Sequence, residues 1–180
     1  MSRSCGLVLA LAFIGLPPLD LPGVTEPGLV TARATVQSSA SPTPMCPVTR
    51  PNGVRYSAEP PGGNYGNDAL VTGLWPEGKV VFKPGGAGFV LSDGALSMKF
   101  WWWRLRPGRL RLEGRRLDGP APPLRASLPD GYGEIGFQST ALIFPTPGCW
   151  EVTGRVGDAS LTFVTQVERI GDGPTHLASR

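Results

Sequence analysis

The sequence predicts an all-β fold, a single antiparallel β-sandwich behind a flexible N-terminal leader, and three observations carry that expectation. Gly 25 and Pro 20 make a quarter of the 180 residues turn-formers, too many for long helices and suited to many short strands. The stretch 140–167, TALIFPTPGCWEVTGRVGDASLTFVTQV, reads as two strands around a tight turn at Gly157-Asp158. A second stretch, 96–117, LSMKFWWWRLRPGRLRLEGRRL, reads the same way around Pro107-Gly108.

In the C-terminal hairpin Gly157 supplies the positive φ that two-residue turns need, and pairing runs outward from it. Val156 faces Ala159, Gly154 faces Leu161, Val152 faces Phe163 and Trp150 faces Thr165. Alternation then gives one buried face, Trp150, Val152, Val156, Leu161, Phe163 and Val167, and one wet face that includes Glu151, Thr153, Arg155 and Thr162. Gly154 leaves room for Trp150 and its neighbours.

The lead-in, Phe144-Pro145-Thr146-Pro147-Gly148-Cys149-Trp150-Glu151-Val152, resembles the P-x-x-G-x-Y-x-V approach to the penultimate strand of immunoglobulin-like sandwiches. Trp150 stands where that family has Tyr, and Val152 where it has an inward Cys; the resemblance spans about thirty residues. It implies an immunoglobulin-like form of the sandwich. More loosely, the whole chain resembles secreted bacterial proteins, which implies a compartment and no activity.

Residues 1–45 read as a leader. Arg3 precedes the apolar run Leu7 to Leu16, too short to cross a bilayer at ~20 residues, which is the pattern of a signal peptide. Ala32-Arg33-Ala34 fits a small-x-small cleavage site, and Val30 to Pro47 has the Ser, Thr, Ala and Pro content of a linker. Neither Cys5 nor Cys46 follows an apolar segment as a lipid-modified Cys would. An extracytoplasmic location, secreted or envelope-associated, is therefore expected, with no transmembrane span after processing. The sandwich is expected over 46–170 and a flexible polar tail over 171–180.

If Cys5 leaves with the leader, Cys46 and Cys149 remain, and an even pair in an oxidising compartment reads as a disulfide. Two free buried thiols are the alternative. By alternation Cys149 points away from the core, so the bridge would pin the N-terminal segment across the outside of the last hairpin.

The middle of the chain is turn chemistry between short strands. Pro51 to Asp68 reads as a long loop, with Val54 to Ser57 at most an edge strand. Short strands are expected at Ala69–Trp75, Lys79–Lys83, Phe89–Leu91 and Leu124–Leu128. The glycines of Pro84–Gly88 lack the Lys-Ser/Thr of a phosphate loop, and Asn64, Asn67 and Asp68 lack the spacing of a calcium loop.

With Pro107-Gly108 as a turn, Arg106 would face Arg109, Leu105 Leu110, Arg104 Arg111, Trp103 Leu112, Trp102 Glu113 and Trp101 Gly114. The core face becomes Trp101, Trp103, Leu105, Leu110 and Leu112. The opposite face becomes Phe100, Trp102, Arg104, Arg106, Arg109, Arg111 and Arg115. Arginine forks suit phosphate, sulfate and carboxylate, and rings stack on sugars. This is the candidate anionic-ligand face; the plainer alternative is a solvated hairpin whose Arg stems cover the aromatics.

Catalytic chemistry has little to work with. His176 is the one histidine and lies in the tail, so a Ser-His-Asp or Cys-His set and a copper or zinc site are not expected. Glu113, Asp118, Asp130, Glu134 and Glu151 could supply a glycosidase pair, and a small carbohydrate-active hydrolase is the rival to a non-enzymatic binding or envelope module. No cofactor is expected. The net charge is +3, and with an extracytoplasmic location the fitting partner is an anionic glycan, wall polymer or lipid headgroup, with no nucleic acid expected.

Overall fold

The computed structural model describes residues 45–58 and 62–177. The signal-like run, the cleavage motif, Cys5, nearly all of the linker and the last three residues lie outside them. The described chain is almost wholly β: β1 (Tyr65–Gly66), β2 (Leu70–Thr72), β3 (Lys79–Phe82), β4 (Phe89–Val90), β5 (Leu96–Arg104), β6 (Arg111–Arg116), β7 (Arg125–Ser127), β8 (Gly136–Phe144), β9 (Gly148–Val156) and β10 (Ala159–Arg169). One 3-10 turn, Pro76–Gly78, leads into β3. Val54 to Ser57 forms no strand.

Two sheets form a β-sandwich. The first has the order β1-β2-β5-β8-β7, with β4 also on β5; the second has the order β3-β10-β9-β6. Among the named strands all pairings are antiparallel except that of β3 with β10. Between the sheets lie Trp102, Phe82, Phe144, Trp150 and Phe163, all with no exposed surface.

The C-terminal hairpin forms in the expected register, with Val156 opposite Ala159, Gly154 opposite Leu161, Val152 opposite Phe163 and Trp150 opposite Thr165. Its expected inward face is buried throughout. The room above Gly154 goes to the other sheet: a Cβ there would lie 2.7 Å from the Trp102 ring. Trp150 Nε1 donates to the Thr146 carbonyl at 3.0 Å, which ties the corner before β9 to the strand that follows.

The second hairpin does not form. β5 and β6 belong to different sheets: β5 pairs with β8 and β2, and β6 pairs with β9. Pro107-Gly108 lies in the crossover between layers. The separation keeps Arg104 from Arg111 and Arg106 from Arg109, like charges whose direct opposition is unfavourable. It also reverses the faces of β5. Leu96, Met98, Phe100, Trp102 and Arg104 point inward, while Trp101 and Trp103 lie half-buried on the outside and Leu105 is exposed. In β6 the expected phase holds, with Leu112 packed against the core and Arg111, Glu113 and Arg115 outside.

Cys46 and Cys149 are bonded, with Cα atoms 5.4 Å apart. From Cys46 the chain runs over the outside of the second sheet. Val48 sits against Gly78, and Thr49 exchanges hydrogen bonds with the backbone of Val164. Tyr65 Oη and Asn67 Nδ2 donate to the next carbonyls along that edge, Thr162 and Ser160. Backbone acceptors of β10 beyond the end of β3 are thereby occupied, which protects an otherwise open edge. The first part of the expected tail is tied down, since Val90 N–H donates to Thr175 O and Leu177 N–H to Val90 O.

Candidate functional site

The seven residues expected on one anionic-ligand face are dispersed. Phe100 and Trp102 are in the core, with ring centroids 5.4 and 6.1 Å from Phe163. Arg106 is exposed and paired with Asp68, and Arg115 pairs with Glu151 at 2.8 Å. Arg111 lies opposite Arg155, which turns to Glu113 at 2.8 Å. On the outer face of the second sheet Arg115 and Arg155 are thus each paired with a glutamate.

Two of the seven do come together. Arg104 ends β5 on its inward side, and Arg109 stands on the crossover; both line a cavity of about 220 Å³ between the β5–β6 crossover and the loop leading into β8. Arg104 is only 3% exposed. Its Nη1 donates to Gly108 O at 2.9 Å, its Nη2 donates to Gly133 O, and its Nε has no partner. No carboxylate lies within ion-pair distance of it among the described residues. A guanidinium carries five N–H donors and is always charged, so this is a buried cation held by carbonyls alone.

A second feature is aromatic. The outward positions of β5 and β8 pair Trp103 with Phe137 and Trp101 with Ser139. Tyr56, from the long loop, stacks on Trp103 with centroids 3.7 Å apart and planes 4° from parallel, and meets Trp101 edge-on at 6.0 Å. Trp101 can lie low on the sheet because Gly73 and Gly63 are beneath it; a Cβ at Gly73 would be 3.0 Å from its ring. Phe137 is 41% exposed and Tyr132, 5.9 Å from it, 39% exposed. Tyr132 also lines the Arg104 cavity.

Of the expected carboxylates, Glu113, Asp118 and Glu151 are each engaged by an arginine. Asp130 and Glu134 are exposed on the loop that walls the cavity. His176 is exposed, with Nε2 3.2 Å from Asp172 O. Among the described residues no three His, Cys, Asp or Glu gather as metal ligands, and no helix is long and apolar enough to cross a membrane. No protein-family model matches this chain, and no curated protein matches it.

Trp101 and Trp103 were expected in the core, and the sequence did not single out Tyr56, Tyr132 or Phe137. A signal for the two tryptophans was present upstream. Leu96-Ser97-Met98-Lys99-Phe100 alternates apolar and polar, and continuing that phase sends Trp102 inward and Trp101 and Trp103 outward.

Proposed function

We propose that this chain is a non-enzymatic binding module of an extracytoplasmic compartment that holds a saccharide against the outer face of its first sheet. The observation that carries the reading is the aromatic tier of Tyr56, Trp103 and Phe137 on the solvent side of two paired strands. Outward strand positions in a one-sided sheet are ordinarily polar, and exposed apolar patches mark ligand sites. The exposed Phe137 ring and the Tyr56 ring stacked over Trp103, with Ser139 beside them and Lys99 and Ser97 further along β5, suit a sugar, whose C–H faces meet the negative faces of aromatic rings while its hydroxyls reach side-chain donors.

The framework fits such a role. We read the order β2-β5-β8-β7 facing β6-β9-β10 as the ABED and CFG sheets of an immunoglobulin-like domain. Trp150 Nε1 stands in for the tyrosine-corner hydroxyl. The Trp102–Gly154 contact links the same two strands that antibody domains join by a disulfide. The disulfide at Cys46–Cys149 is compatible with an extracellular setting. Against the hydrolase reading, Asp130 and Glu134 are both solvent-exposed, and a general acid needs a sheltered carboxyl with a raised pKa.

The test is retention on immobilised polysaccharides. Trp103→Ala and Phe137→Ala should each weaken retention about tenfold or more with the fold preserved. Unchanged retention in both variants, or no polysaccharide retained by the native protein, would refute the reading.

A further inference from the structure

We infer that the Arg104 cavity is a subsite for a single carboxylate, so that the saccharide held on the neighbouring aromatic face is an acidic one, carrying a uronate-type group. The inference rests on the saccharide reading and adds the chemistry of one position. An unpaired charge removed from water is strongly unfavourable, yet this guanidinium is 3% exposed and meets only the carbonyls of Gly108 and Gly133. Its Nε keeps an unused N–H. An anion entering the cavity that Arg104 lines would supply the missing charge.

The cavity narrows the choice of anion. Its lining carries two guanidinium groups, Arg104 and Arg109, and two carboxylates, Asp130 and Glu134. A phosphate ester brings more than one negative charge, and both phosphate and sulfate bring a tetrahedral group whose third oxygen would face those carboxylates. A carboxylate brings one negative charge and a planar pair of oxygens that matches the guanidinium fork. The size agrees, since about 220 Å³ is below the range of drug-sized pockets and suits one sugar ring.

The path from the aromatic face is continuous. Trp103 pairs with Phe137, Phe137 lies 5.9 Å from Tyr132, and Tyr132 is on the cavity wall. A chain lying along those rings would deliver a substituent to Arg104.

Binding should be measured for glucuronate-, galacturonate- and mannuronate-containing oligosaccharides, each beside its carboxyl-reduced counterpart. At least one acidic member should bind the native protein about tenfold or more tightly than its neutral partner. Arg104→Gln should bring that ratio close to one, and Arg109→Gln should lower it less. Should Arg104→Gln not fold, the native protein compared on each uronate and its methyl ester gives the same decision. Equal affinity for every acidic and neutral pair overturns the carboxylate subsite and leaves the saccharide face standing; failure to bind any of them overturns both.

Discussion

Trp102 is the residue on which the two layers close. It has no exposed surface, and it fills the space left by the absent side chain of Gly154. Trp102→Ala should therefore cost about 3–5 kcal/mol, while Trp101→Ala and Trp103→Ala, on the outer face, should cost clearly less. Gly154→Ala should cost about 1–3 kcal/mol by overpacking, and adding Trp102→Phe should recover part of that loss because the two positions share one space. Urea denaturation of the five variants measures this. A larger loss for Trp101 than for Trp102 would contradict the inward assignment.

At the scale of elements, β9–β10 was legible and β5–β6 was not, and the reason lies in particular residues. Val152, Val156, Leu161 and Phe163 alternate with Thr153, Arg155, Ser160 and Thr162, and Gly157 marks the turn. In β5 three consecutive tryptophans erase the alternation locally. The phase assigned from Leu105 and Leu110 assumed a hairpin, whereas the chain changes sheets between them. The cavity was illegible because its two walls, the β5–β6 crossover and the loop before β8, are brought together by tertiary packing alone. An arginine carries the end of β6. Arg116 binds Asp118 at 2.6 Å and Thr146 Oγ1 at 3.3 Å, and Leu117 N–H donates to Cys149 O, so the end of β6 is fastened to the corner before β9. Burial pushes the Asp118 carboxyl up, but the hydrogen bond from Arg116, the Cys149 backbone and the Arg116 charge outweigh it and hold the pKa below its ordinary value. A depressed folded pKa means that ionised Asp118 contributes stability above the unfolded pKa of about 4, and the contribution disappears as pH falls through the folded value. Asp118→Asn should lower stability at neutral pH and flatten the decline below pH ~4, as read by denaturation from pH 7 to 2. An unchanged acid limb would show that the pair is inert.

For the whole molecule the Cys46–Cys149 bridge spans 103 positions, and on the chain-entropy account a loop of that length is worth about 4–5 kcal/mol. Reduction should lower the urea midpoint accordingly, and thiol counting on the unreduced denatured protein should find Cys46 and Cys149 both blocked. Two free thiols there would refute the bridge. The parallel pairing of β3 with β10 has a separate consequence, for the time course of folding. β10 is an inner strand of the second sheet, between β3 and β9, and Thr165 Oγ1 reaches back 87 positions to Gly78 O. Contacts so remote in sequence bring a loop-closure cost before they return any stability, which makes for slow folding. Of the pair, β3 emerges first and waits without its neighbour until β10, some 87 positions further on, has been made. The nascent chain therefore has no complete second layer to commit to before β10 has emerged.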